Sequence, residues 1–96
     1  MLYTFSQANY SEKELIHLFK EIKSDDYILF WQDGVLFPIK YQSFLLSLNC
    51  NIGIFKNDVD ARNLRYSKDL YSNKLKLVAL DDIVDITINY FPQICL

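Results

Sequence analysis

The feature that most restricts the fold of this sequence is an unbroken run of five apolar residues at 27–31 (YILFW). Polar turns flank it, Ser-Asp-Asp at 24–26 and Gln-Asp-Gly at 32–34. A short strand that is apolar on both faces is typical of a parallel sheet covered by helices on its two sides. We therefore expect an α/β fold in which this run is a strand buried on both faces.

Helix-like and strand-like patterns alternate around that run. Residues 1–5 predict a first strand, and Ser11 with Glu14 predicts a capping box before the first helix. This helix has one apolar face, made of Leu15, Leu18, Phe19 and Ile22. After the turn at 32–34 we expect a second helix that can start at Pro38. Its apolar face consists of Tyr41, Phe44, Leu45 and Leu48.

The second half of the chain repeats this alternation. Residues 52–55 and 75–80 predict the third and fourth strands, and 57–63 predicts a short helical turn between them. Asp81 is expected to cap a last helix, which Pro92 ends. Its apolar face consists of Ile83, Ile86 and Tyr90. The many β-branched residues of this segment also suit a strand, but its acidic start favours a helix.

The resulting order of four strands and four helices predicts one domain over residues 1–96. The expected fold class is α/β, a small three-layer, mostly parallel sheet of the flavodoxin-like kind. In such sheets, functional sites lie at the carboxyl ends of the strands. The segments expected at that edge are 6–10, 32–36, 57–60 and 81–82.

Composition excludes several classes of function. The net charge is −2 and the ten basic residues are scattered, so direct nucleic-acid binding is not expected. No apolar run approaches about 18 residues and no leader-like segment is present, so we expect a cytoplasmic protein that does not enter a membrane. The 7 Tyr, 7 Phe and 1 Trp exceed what so small a core can hold, which suggests an interface.

Few residues are candidates for thiol, metal or phosphate chemistry. Cys50 precedes a predicted strand, at the edge opposite the expected site, and we expect it to be buried. Cys95 follows Pro92 on a tail that leaves it room to be exposed and mobile. With His17 as the single histidine and two isolated glycines, we expect no metal site, no catalytic triad, no phosphate loop and no cofactor.

Two polar motifs at the predicted carboxyl edge supply the candidate site residues. These residues are Gln32, Asp33, Gly34, Asp58 and Arg62. Gly34 is expected to supply a positive φ angle to the turn after the second strand. Asp58 and Arg62 are four residues apart, which suits an ion pair on one helical turn. We also expect Asp58 to cap that turn and Asn63 to end it in the left-handed conformation.

In their order and spacing, these motifs resemble those of the TusB/DsrH family. Residues 1–4 (MLYT) are similar to its Met-Leu-His-Thr opening, with Tyr in place of His. Residues 28–35 (ILFWQDGV) resemble its apolar strand followed by Gln-Asp-Gly-Val. Residues 58–64 (DVDARNL) resemble its Asp-(Leu/Val)-x-Ala-Arg-Gly-Leu element, with Asn in place of Gly. Residues 78–88 occupy the place of its closing strand and final helix.

The resemblance implies a DsrE-like fold and a structural role in sulfur transfer. In that family, TusB assembles with TusC and TusD as a dimer of heterotrimers, a heterohexamer. This complex passes persulfide sulfur from TusA through a TusD cysteine to TusE, for the 2-thiolation of the wobble uridine in tRNA. The TusD-type cysteine follows the third strand, whereas residues 57–60 here contain none. The implied partners are TusC-like and TusD-like subunits, and the implied role is non-catalytic.

Two alternatives stay open at this point. The chain could carry persulfide sulfur itself, on Cys95 or Cys50, which requires an accessible thiol that ionises readily. It could also be a flavodoxin-like module that binds a small ligand, although no phosphate-binding loop supports this.

Overall fold

The apolar run at 27–31 supplies the middle strand of a parallel sheet, and all four residues of that strand, Tyr27–Phe30, are buried. The structure is a computed structural model that describes residues 1–66 and 74–96. Within these residues the strands, in chain order, are β1 Leu2–Phe5, β2 Tyr27–Phe30, β3 Asn51–Phe55, β4 Leu75–Val78 and β5 Gln93–Cys95. Their order across the sheet is β4-β3-β2-β1-β5, with every pairing parallel. The predicted α/β class is confirmed.

The described helices connect these strands. They are α1 Glu12–Glu21, a 3-10 helix at Gln32–Leu36, α2 Phe37–Lys40, α3 Gln42–Leu46, α4 Lys56–Ala61 and α5 Leu80–Asn89. The apolar face predicted for α1 is confirmed, because Leu15, Leu18, Phe19 and Ile22 all belong to or pack against the core. Ser11 is the N-cap residue of α1, but its side chain forms no capping hydrogen bond, so the predicted capping box is not formed.

The path of the chain across the sheet places the helices in two layers. From β1 to β4 each crossover moves one strand in the same direction, so right-handed connections put the intervening helices on one face. The connection from β4 to β5 returns past β1, and α5 therefore lies on the opposite face. Two separate clusters of buried side chains, one on each face of the sheet, agree with this three-layer arrangement.

Phe37 lies at the centre of an aromatic cluster in the larger core. Its side chain is fully buried. Its ring centroid is 4.9 Å from that of Phe30, 5.0 Å from that of Phe5 and 4.9 Å from that of Tyr41. Burying a phenyl ring contributes roughly 1.5–3 kcal/mol, and neighbouring rings add to this. The segment after β2 is therefore anchored to the sheet mainly through this residue.

The predicted second helix is divided into short pieces and begins earlier than expected. The chain becomes helical at Gln32, and α2 starts at Phe37 with Pro38 in its first turn. Tyr41 interrupts the helix with φ −127° and ψ 40°. Its hydroxyl group donates to the carbonyl oxygen of Tyr10 and accepts from the Tyr10 amide, each at 3.1 Å. These two hydrogen bonds connect Tyr41 to the loop after β1. The spacing of apolar residues does not reveal the break in the helix at Tyr41.

The tail after Pro92 forms a strand, so the prediction that it is mobile is wrong. In β5, Gln93 lies opposite Leu2 and Cys95 lies opposite Thr4. The amide of Leu96 also donates to the carbonyl oxygen of Thr4 at 2.8 Å. Without β5, the backbone groups along this side of β1 would have no partner in the sheet, and buried backbone groups need one.

The last helix is confirmed, although its start differs in detail from the prediction. Helix α5 begins at Leu80, and the Asp82 carboxylate accepts a hydrogen bond of 2.9 Å from the amide of Ala79. The N-cap residue is therefore Ala79, and the N-cap role predicted for Asp81 is wrong. Ile83 and Ile86 are buried against the sheet as predicted.

Candidate functional site

The five candidate site residues meet at the carboxyl edge of the sheet. Gln32, Asp33 and Gly34 lie on the 3-10 helix directly after β2. Asp58 lies in the first turn of α4, directly after β3, and Arg62 is the C-cap residue of that helix. Because β2 and β3 are neighbouring parallel strands, the segments that follow them are adjacent.

Arg62 bridges the two segments. Its Nη2 donates to Oδ1 of Asp33 at 2.8 Å. Its Nη1 donates to the carbonyl oxygen of Asp58 at 3.1 Å and lies 3.4 Å from Oδ1 of the same residue. The ion pair predicted between Asp58 and Arg62 is confirmed, whereas the pair with Asp33 is not visible from sequence spacing. Opposite charges after adjacent strands are the signal that could have indicated it.

Asp58 holds the chain where it leaves β2. Its Oδ2 accepts a hydrogen bond of 2.6 Å from the amide of Gln32, which has a positive φ angle of 53°. The carboxylate thus stabilises a left-handed residue of a neighbouring segment. It does not cap α4, so the capping role predicted for Asp58 is wrong. Asn63 ends α4 with φ 50°, which confirms its predicted left-handed conformation.

Gly34 is required for a close approach and not for its φ angle. Neither glycine has a positive φ, so the prediction for Gly34 is wrong, and Gln32 makes the left-handed turn instead. A β-carbon at Gly34 would overlap the carbonyl oxygen of Phe5 and lie 2.5 Å from its carbonyl carbon. The 3-10 helix therefore passes directly over the end of β1.

The opposite charges of this cluster hold the 3-10 helix and α4 together. The hydrogen bond to Asp33, with smaller contributions from both carboxylates, raises the pKa of the Arg62 guanidinium, so it stays charged. The Arg62 side chain is 31% exposed and that of Asp33 is 62% exposed, so solvent screens their ion pair and it contributes little to stability. Both carboxylates bind this guanidinium, so the cluster links the 3-10 helix after β2 to α4.

The two thiols lie elsewhere. Cys50 directly precedes β3, at the amino edge of the sheet, and is buried as predicted. Burial raises the pKa of its thiol, which opposes formation of the thiolate. Cys95 is exposed on β5. It lies opposite Thr4, near the carboxyl end of β1, and its Sγ accepts a hydrogen bond of 3.3 Å from Nε2 of Gln93.

Two hollows in the described part of the molecule lie at the amino edge and share Cys50 in their walls. The larger has a volume of about 420 Å³ and extends toward Lys74 and Lys76, and the smaller has a volume of about 260 Å³. The Lys74 ammonium donates to the carbonyl oxygen of Leu48 at 2.6 Å, so this cation is already engaged. These hollows are separated from the Asp33–Arg62 cluster by the length of the sheet.

The family of the chain follows from comparison with known proteins. The family model described as DsrH like protein matches residues 7–93. The chain belongs to the TusB/DsrH family. An uncharacterized protein of Haemophilus influenzae is 44% identical over the full length of both chains. Proteins named Protein TusB from Photorhabdus laumondii and Yersinia enterocolitica are 33% and 31% identical, each over at least 97% of both chains.

The motifs that resemble the TusB/DsrH family coincide with the cluster at the carboxyl edge. The Gln-Asp-Gly-Val stretch forms most of the 3-10 helix, and the Asp-x-x-x-Arg spacing lies on α4. No helix among residues 1–66 and 74–96 is long and apolar enough to cross a membrane. The same residues contain no group of three or more side chains placed to hold a metal ion.

Proposed function

We propose that this chain is a non-catalytic, cytoplasmic subunit of a sulfur-relay complex that serves 2-thiolation of the wobble uridine in tRNA. It would join a TusC-like and a TusD-like chain in a dimer of heterotrimers, with TusA and TusE linked indirectly. Membership in the TusB/DsrH family supports this role. The observation that carries the non-catalytic assignment is the segment after β3, which contains no cysteine.

The position of Cys50 supports the same assignment. A relay thiol has to be accessible and has to ionise readily. Cys50 is 7% exposed, and its raised thiol pKa opposes ionisation. At the carboxyl edge, the Arg62–Asp33 and Asp58–Gln32 hydrogen bonds hold α4 against the 3-10 helix. The chain thus offers a fixed surface at the place where a carrier would offer a thiol.

Coexpression with the TusC-like and TusD-like chains of the same organism, followed by native mass spectrometry, tests the proposal. The expected complex contains two copies of each of the three chains. The isolated chain is expected to self-associate or to be poorly soluble, because small domains with exposed apolar surface tend to do so. A lone chain that stays monomeric and ignores both partners would contradict the proposal.

A sulfur carrier that acts through Cys95 is the second candidate function. The observation in its favour is that Cys95 is exposed and lies near the carboxyl end of the sheet. This function requires the protein to gain the mass of one sulfur atom after incubation with a cysteine desulfurase and a relay donor. It is eliminated if Cys95→Ser and Cys50→Ser together leave the level of thiolated tRNA unchanged.

The two cysteines are expected to differ strongly in reactivity. Near pH 7.5, a thiol-specific disulfide reagent should modify Cys95 rapidly and Cys50 at least about tenfold more slowly, because only thiolates react. The rate at Cys50 should rise as the pH approaches its raised pKa, or after unfolding. Absorbance of the released thiol follows the reaction, and the Cys95→Ser protein isolates the slow phase. Equal rates in the native protein would show that Cys50 is not protected by burial.

A further inference from the structure

Helix α5 has an apolar surface that is wider than the sheet beneath it covers. Ile83 and Ile86 face the sheet and are 6% and 8% exposed. On a helix, residues four apart lie on one line along the surface. Leu80, Val84 and Ile88 form such a line beside the buried face, and they are 63%, 52% and 66% exposed. One side of the helix is buried in this domain, and a second apolar line faces outward.

A further exposed apolar side chain follows α5 in the chain. Phe91, which follows α5, is 73% exposed and is the most exposed of the large apolar residues in the described part of the chain. The other exposed apolar residues, such as Ile16 on α1 and Ile39 on α2, lie on separate elements of the opposite layer. A contiguous apolar surface of this kind marks an interaction site more often than isolated exposed residues do. We call Leu80, Val84, Ile88 and Phe91 the outer face of α5.

Acidic side chains border the outer face. Asp81, Asp82 and Asp85 are exposed, and α5 contains no Lys or Arg. Asp82 is engaged with the amide of Ala79. Asp81 and Asp85 are also four residues apart, and no ion pair joins either of them to another described residue. An uncompensated row of negative charge therefore runs along the apolar line.

This charge pattern disfavours a second copy of the chain as the occupant. In a two-fold contact the same surface meets itself, so the three aspartates of each α5 would surround one interface without any cation from either helix. Like charges brought together at an interface oppose association, whereas complementary charges guide it. A different chain with basic residues around an apolar centre complements both the apolar line and the aspartates that border it.

We propose that the outer face of α5 docks a different polypeptide, one that presents an apolar helix or sheet surface edged by Lys and Arg. This inference rests on the proposed function, because it places the contact with the TusC-like and TusD-like pair on this helix. The apolar line would supply the buried centre of the interface, and Asp81 and Asp85 would supply its charged rim.

A paired set of variants tests this placement. Val84→Glu with Ile88→Glu changes only exposed positions of α5, and Ile16→Glu introduces a single glutamate at an exposed position of the opposite layer. Each variant is mixed with the copurified TusC-like and TusD-like pair, and binding is measured by native mass spectrometry and titration calorimetry. Circular dichroism checks that each variant is folded.

The wild-type chain and Ile16→Glu are expected to bind the pair with equal affinity. Val84→Glu with Ile88→Glu is expected to bind at least about 30-fold more weakly, as for substitutions at the centre of an interface. Asp81→Lys with Asp85→Lys should also weaken binding, most strongly at low salt, because it replaces two attractive charges by charges that repel a basic partner.

The possible contrary results are distinguishable. If the wild type binds the pair and Val84→Glu with Ile88→Glu binds equally well, the placement on α5 is overturned while the proposed function stands. If neither binds, the proposed function fails and the docking inference fails with it. If the wild type forms a discrete dimer that persists in the presence of the pair and that the same double substitution abolishes, the occupant is a second copy and the inference of a different, basic partner is wrong.

Discussion

Replacing Gly34 with alanine is expected to lower the free energy of unfolding by about 3 kcal/mol or more, the upper range for overpacking. The added β-carbon would overlap the carbonyl group of Phe5, and neither backbone can move independently. The same carbonyl oxygen accepts a hydrogen bond of 3.2 Å from the amide of Trp31, so displacing it also disturbs the pairing of β1 with β2. Urea denaturation followed by circular dichroism measures the loss.

A second position of the same 3-10 helix provides a control for this substitution. Gln32 has the positive φ angle, so Gln32→Gly should leave stability unchanged or raise it by up to about 1 kcal/mol, since glycine adopts that conformation without strain. The opposite pattern, with Gly34→Ala tolerated and Gln32→Gly destabilising, would show that the close approach to Phe5 does not require glycine at position 34.

Replacing Phe37 with alanine is expected to lower the free energy of unfolding by about 3–5 kcal/mol, the usual cost of removing a buried phenyl ring. Phe37 is fully buried and contacts the rings of Phe5, Phe30 and Tyr41. A domain of this length has a total stability of roughly 5–14 kcal/mol, so the variant should melt at a much lower temperature or be largely unfolded. Calorimetry and chemical denaturation measure the change.

The control for Phe37→Ala removes the same side chain from the surface. Phe91 is 73% exposed, so Phe91→Ala should change stability by no more than about 0.5 kcal/mol. If the two variants lost similar amounts of stability, the ring of Phe37 would not be the anchor of the segment after β2.

The sequence predicts those parts of the fold that depend on local patterns. The run at 27–31 indicates a strand buried on both faces, and the spacing of Leu15, Leu18 and Phe19 indicates the face of α1. The strand β5 is not predictable in this way. It has three residues, and it is extended because it pairs with the edge of β1, at the other end of the chain. Pairing between distant segments leaves little trace in a local apolar pattern.

The candidate site shows the same division between local and non-local interactions. The pair of Asp58 and Arg62 follows from a spacing of four residues on one helix. The bond from Arg62 to Asp33 and the bond from Gln32 to Asp58 depend on the adjacency of β2 and β3. The role of Gly34 depends on the position of Phe5 under the 3-10 helix, and a glycine in a turn suggests the more common explanation, a positive φ angle.

The return of the chain from β4 to β5 has a consequence for local unfolding. Helix α5 and strand β5 are consecutive, and within the described residues β5 joins the sheet through β1 alone. The two elements can therefore detach together while the ladder from β1 to β4 stays intact, which makes them a natural cooperative unit for native-state opening. A chain bound to the outer face of α5 would make this opening less favourable. Assembly and the ordering of α5 and β5 would therefore be thermodynamically coupled.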